Sequence, residues 1–137
     1  MERTFAIIKP DAVARGQAGQ ILAMVEASGF KLRALRMLQM TQAHAEGFYA
    51  VHRERPFFRS LVTFMTEGPV IVMALEREDA VKAWRELMGA TNPANAAEGT
   101  IRKRFAASVE RNCVHGSDAP ETAAVELGFF FSASELL

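Results

Sequence analysis

Six consecutive apolar residues, Val70 to Leu75, lie between the breaker pair Gly68-Pro69 and the charged Glu76-Arg77. A run this short, rich in Val and bounded by a turn signal, reads as a buried strand, so the chain has to build a sheet around it. Val70–Leu75 is therefore expected to be a central strand. Phe5 to Ile8 is a second short apolar run, stopped by a turn at Lys9-Pro10-Asp11. Phe30, Leu32 and Ala34 alternate with Lys31 and Arg33, the pattern of a half-buried strand running on towards Met40.

Between these strands the period changes. Ile21, Leu22 and Val25 sit at helical spacing within Gln20–Ser28, with Gly29 as the stop. Thr41 is placed to cap a helix through Phe48 and Tyr49. Pro56 precedes another apolar helical segment with Phe58, Leu61, Val62 and Met65. Ala80, Val81, Trp84, Leu87 and Met88 form an amphipathic stripe closed by Gly89. From Ala90 to Arg111 the pattern fades; its Thr91, Asn92, Pro93, Thr100 and Arg102 favour an ordered functional loop. A short strand is expected over Asn112–His115. Asp118 and Glu121 have capping-box spacing for a last helix to about Leu127, with Gly128 as its stop.

The order βαβ, helices, βαβ, helix predicts one α+β domain over residues 1–137. It is a ferredoxin-like split βαβ sandwich, a four-stranded antiparallel sheet with helices packed mainly on one face. Sixteen basic residues balance sixteen acidic ones, so no global field draws the chain to nucleic acid or an anionic membrane. One cysteine rules out an internal disulfide framework and fits a reducing compartment. There is no membrane-length apolar run, and MERTFAIIKPD enters a strand pattern without a signal-peptide layout, so a cytoplasmic protein is expected.

The segment most suggestive of chemistry is NCVHGSD, Asn112 to Asp118, which holds one of only three histidines. His115 admits four readings. A metal ligand would have Cys113 beside it but no second ligand pair at zinc spacing. A Ser-His-Asp triad would need separated elements, whereas Ser117 and Asp118 are adjacent and no GxSxG elbow exists. A structural histidine needs nothing further. A nucleophilic imidazole needs an acceptor on its other ring nitrogen, and the helix N-terminus behind it would suit a phosphate. Local chemistry leaves the last two open.

NCVHGSD resembles the N-x-x-H-G-S-D signature of nucleoside diphosphate kinases. IIKPDAV, FYAV with HRERPFF, EGPVIVM, MGATNPANA and GTIRKRF also match, in the family's order, so the resemblance spans nearly the whole chain. It implies a ping-pong phosphotransferase in which His115 takes the γ-phosphoryl group of a nucleoside triphosphate and passes it to a nucleoside diphosphate. No P-loop is present; the resemblance assigns phosphate contacts to Arg85, Thr91 and Arg102, a contact with the γ-phosphoryl group or the sugar to Lys9, base stacking to Phe57 and Val109, and a sugar contact to Asn112. Tyr49 and Ser117 match groups near the histidine, and Glu126 matches the carboxylate that orients its ring. Taken singly, each of these has a plain structural reading as a core, turn or surface residue. The resemblance also implies Mg2+ bound mainly through nucleotide phosphates and water, broad base tolerance, and a dimer-based tetramer or hexamer.

Two departures stand out. Arg102-Lys103-Arg104-Phe105 carries a cation where the family pattern has an acid, and Ala12 occupies a common glycine position. The tail resembles the short bacterial type. Two competitors belong to other classes. A non-catalytic nucleotide-binding or regulatory member would be expected to lose the histidine or its phosphate partners. A nucleic-acid-binding module would rest on the Arg102–Arg104 cluster alone, without the exposed aromatic series of an RNA-stacking sheet.

Overall fold

The computed structural model describes residues 1–137. In chain order it runs β1 (Glu2–Ile8), α1 (Pro10–Ala14), α2 (Ala18–Ala27), β2 (Lys31–Leu38), α3 (Gln42–Phe48), α4 (Phe58–Met65), β3 (Val70–Arg77), α5 (Ala80–Met88), α6 (Ile101–Phe105), β4 (Val114–Gly116) and α7 (Pro120–Phe130). The four strands form one antiparallel sheet in the order β2-β3-β1-β4. The expected sheet is present, and Val70–Leu75 lies in one of its two inner strands.

The helices cover both faces rather than mainly one. Ala6 and Ile8 of β1, with Ile71, Met73 and Leu75 of β3, pack with Ile21, Val25, Trp84 and Ile101. Phe5 and Ile7, with Val70, Val72 and Ala74, pack with Ala45, Val62, Met65, Leu127 and Phe130. Successive strand side chains point to opposite faces, so an unbroken apolar run implies apolar cover on each side. The continuity of Val70–Leu75, in which every residue is buried, already carried that information.

Three local expectations change. Lys9-Pro10-Asp11 is not a free turn but the entry to α1, with Pro10 at a first-turn position where its missing N–H costs nothing. The last helix is not capped by Asp118. Ala119 holds the N-cap position, and its N–H donates to Thr122 Oγ1 at 3.0 Å. Gly128 lies inside that helix, which continues to Phe130 because Leu127 and Phe130 bury against β1 and β3. Thr41 caps α3 as expected, accepting from the His44 N–H at 3.1 Å. Much of the segment from Ala90 to Arg111 is irregular, broken by a 3-10 turn at Pro93–Asn95 and by α6.

Candidate functional site

β4 has only three residues and pairs on one edge with β1, His115 lying opposite Ile7. This register sends the imidazole to the α3–α7 face of the sheet. There Nε2 lies 3.1 Å from Oε1 of Glu126, and Ser117 Oγ donates to the same oxygen at 2.7 Å. Burial opposes charge on Glu126, but the hydrogen bonds from His115 and Ser117 outweigh it and hold the carboxyl below its ordinary range. An ionised carboxylate only accepts, so Nε2 carries the proton and the lone pair of Nδ1 faces outward from the pair. The ring sits among Phe48, Phe5 and Tyr49, with centroids 5.4, 6.1 and 6.2 Å away. The Tyr49 hydroxyl is buried with no hydrogen-bond partner; burial and then Glu126 push its pKa upward.

The chain enters this strand through a strained residue. Cys113 has φ +74°, left-handed geometry that costs a non-glycine residue about 1 kcal/mol or more. Its N–H donates to Asp11 Oδ2 at 3.1 Å and its carbonyl accepts from the Lys9 N–H at 2.7 Å, so α1 and the end of β1 hold the bend. Burial, and then Asp11, push the Cys113 thiol up to about 12, which leaves it a packed, unreactive group. On the opposite face, Trp84 of α5 donates its indole N–H to the His115 carbonyl at 3.1 Å.

Two buried cations lie beside the histidine strand without a carboxylate partner. Lys9 Nζ donates to Asn112 Oδ1 at 2.9 Å, and burial, then the Arg102 charge, lower its pKa to about 8. Arg102 donates to the backbone carbonyls of Gly89, Asn112 and Val114 at 3.0, 3.4 and 2.8 Å. Arg85 is exposed, and its Nη2 donates to the Asp118 carbonyl at 2.7 Å. Phe57 and Val109 are both about half exposed, at 47% and 53%. Asn112 Nδ2 holds the Val109 carbonyl at 2.9 Å, and Ser60 Oγ holds Glu110 at 2.7 Å, tying the Val109 loop to α4 near Phe57. Only Thr91 stands apart: it is exposed and its side chain makes no hydrogen bond, although Gly89 two residues earlier is bound by Arg102.

Asp11, Phe48 and Trp84 touch this network and were not singled out by sequence reasoning. Trp84 reads as one more residue of a helical stripe, and its indole bond has no one-dimensional signal. Arg104 has a neutral solution to the missing acid. It donates to Gln20 Oε1 at 3.0 Å and lies over the Phe105 ring, 4.9 Å from its centroid. No three His, Cys, Asp or Glu residues gather as a metal cage. A surface hollow of about 440 Å3 is lined by Glu46, Arg53, Arg55, Phe58 and Arg59, none of them in the network around His115. No helix is long and apolar enough to cross a membrane.

A family model described as nucleoside diphosphate kinase matches residues 2–136. The chain is 62% identical to a nucleoside diphosphate kinase of Nitratidesulfovibrio vulgaris, over all of this chain and 99% of the relative. It is 61% identical to one of Geotalea uraniireducens over the full length of both. Among solved structures it superposes on the Aquifex aeolicus nucleoside diphosphate kinase with a TM-score of 0.97, at 45% identity and 99% coverage of each chain. A halophilic nucleoside diphosphate kinase of Halobacterium salinarum in complex with CDP superposes with a TM-score of 0.95, at 40% identity, covering 99% of this chain and 91% of that one.

Proposed function

The chain belongs to the nucleoside diphosphate kinase family and has its phosphotransferase activity, and from that premise we propose that His115 is the residue that carries the phosphoryl group. The observation that supports this most is the contact between His115 Nε2 and Glu126. It leaves Nδ1 as the nitrogen able to attack. In the first half-reaction Nδ1 bonds to the γ-phosphorus while the bond to the β–γ bridging oxygen breaks, and the nucleoside diphosphate leaves. The ring keeps its Nε2 proton and becomes cationic, and the Glu126 carboxylate balances that charge. In the second half-reaction a terminal oxygen of another diphosphate attacks the phosphorus and the P–N bond breaks. Donor and acceptor are alike, so one site serves both visits.

Phosphoryl transfer asks the protein chiefly for position and positive charge. Lys9 and Arg102 supply that charge. Both are buried and neither forms an ion pair with a carboxylate, so an entering phosphate meets cations without a direct salt-bridge partner. Arg85 and Thr91 stand at the exposed rim for the outer phosphates, and the partnerless Tyr49 hydroxyl is a donor reserved for the reacting group. Phe57 and Val109 flank the base. Stacking without edge hydrogen bonds tolerates any base, which is the reason to expect broad purine and pyrimidine acceptance. Asn112, already tied to Lys9 and Val109, is placed for the sugar.

Magnesium belongs to this reading as part of the nucleotide. A site built of lysine and arginines, with no gathered carboxylates, fits an ion held by phosphate oxygens and water. When bound, it supplies charge neutralisation across the phosphates. Self-association is the other finer part. β2 is an edge strand that exposes Leu35 and Met37, and a second copy covering it would remove both the open edge and the apolar surface. A cytoplasmic location is proposed with it, on the unpaired Cys113.

The test is brief incubation with γ-labelled ATP. An acid-labile, alkali-stable phosphoprotein is expected, discharged by a second diphosphate and absent from His115→Ala. Label that persists unchanged in that variant would refute the assignment. Light scattering on the nucleotide-free protein tests self-association, where a monomer would remove it.

A further inference from the structure

We infer that Trp84 is a positioning residue for His115, holding the backbone of the phosphoryl carrier from the face of the sheet opposite its side chain. The inference rests on the reading of His115 given above. Trp84 is the only tryptophan in the chain and is fully buried. Its indole N–H reaches the carbonyl of His115 itself at 3.1 Å. The next residue, Arg85, reaches the carbonyl of Asp118 at 2.7 Å. Consecutive residues of α5 therefore grip both ends of the segment His115–Asp118.

Gly116 shows how close this grip is. A Cβ added there would overlap Trp84 Cδ1, and would lie 2.6 Å from Trp84 Nε1 and 2.7 Å from Met88 Cε. The φ of Gly116 is not in the left-handed region, so it is the indole, not backbone conformation, that excludes a side chain. The indole is itself held from behind by Phe30, edge-on at 6.1 Å between centroids.

The hold matters because β4 has little of its own. It is three residues long, is paired on one edge only, and follows the strained Cys113. Glu126 and the aromatic rings fix the orientation of the imidazole but not the height of the backbone that bears it. Trp84 fixes that height. In-line attack is sensitive to displacements of about an ångström, for which losses of up to about 100-fold are typical.

Trp84→Phe keeps an aromatic ring and removes the N–H. Single-turnover labelling with γ-labelled ATP should slow about three- to tenfold, with nucleotide affinity close to that of the parent protein and a lowered thermal midpoint, because a buried carbonyl loses its donor. Trp84→His, which restores a ring N–H, should recover part of the rate. A general packing defect would instead lower nucleotide affinity together with the rate and show no recovery. Labelling of Trp84→Phe at the parental rate would overturn the inference while leaving His115 in place. Failure of His115→Ala to abolish the label would overturn the underlying reading instead.

The parent protein supplies a measurement that needs no variant. Its single indole N–H resonance should be protected from hydrogen exchange and should shift when the protein is fully phosphorylated. An indole that exchanges freely and does not move would also overturn the coupling.

Discussion

Glu126 and His115 are eleven residues apart in sequence and 3.1 Å apart in space. One carboxylate oxygen serves both the histidine and Ser117, so a single side chain fixes the imidazole tautomer and closes the segment that carries it. Glu126→Gln can still accept a hydrogen bond but no longer balances a cationic ring. It should slow phosphohistidine formation by about 10- to 100-fold, measured in a single turnover, with a smaller change in nucleotide affinity. An unaltered rate would show that the carboxylate charge is not used.

Ser117→Ala should have a milder effect. It removes a 2.7 Å bond to Glu126 and leaves the carboxylate its bond to His115. A loss of about 1 kcal/mol in stability is expected by denaturant titration, with a several-fold lower transfer rate.

Lys9 sets a pH limit. Its pKa is lowered to about 8, first by burial and then by Arg102, so the free protein loses this cation above that pH. The value of kcat/KM for nucleotides should therefore fall as pH rises through about 8, and Lys9→Gln, slower throughout, should lack this limb. The stability effect has the opposite sense. Burial of the charged lysine is a cost below pH 8 that is relieved as pH rises towards the ordinary value of 10.5, so this group alone makes the fold more stable over that interval. A kcat/KM profile that is flat across pH 8 and unchanged by Lys9→Gln would contradict the assignment.

Arg102→Ala should raise KM and also destabilise the protein. The guanidinium serves the carbonyls of Gly89, Asn112 and Val114 as well as any phosphate, and truncation leaves them without that donor. A stability loss of about 1–3 kcal/mol is expected alongside weaker nucleotide binding. Weak binding at full stability would mean that the three carbonyl bonds contribute nothing.

Gly116→Ala tests the fit against α5. The added methyl meets Trp84 and Met88 side chains in a packed interior, and overfilling of this kind costs about 1–3 kcal/mol. Unfolding by denaturant measures it directly.

Much of this protein is readable in one dimension. The run Val70–Leu75, the alternation after Phe30 and the stripe Ala80–Met88 each became the expected element, because apolar period reports which side of a backbone is covered. NCVHGSD with its companion motifs identified the family and the chemistry it performs. The helix-capping expectation at Asp118 and the stop at Gly128 failed at opposite ends of the last helix. Both rested on local propensity: Pro120 takes the first helical position and sets the N-cap at Ala119, and the burial of Leu127 and Phe130 carries the helix past Gly128. The placement of helices on both faces was misjudged, although the unbroken apolar run implied it.

The sequence by itself determined the sheet, the family and which residue types are available for phosphate chemistry, because these follow from short-range pattern and from matched motifs. Only the tertiary structure decided which ring nitrogen of His115 is held, that Lys9 and Arg102 are buried without a direct ion pair, and that Trp84 stands behind the histidine. Those facts depend on β1, β4, α5 and α7 meeting in space, and contacts between residues 11 to 103 positions apart leave no trace in spacing.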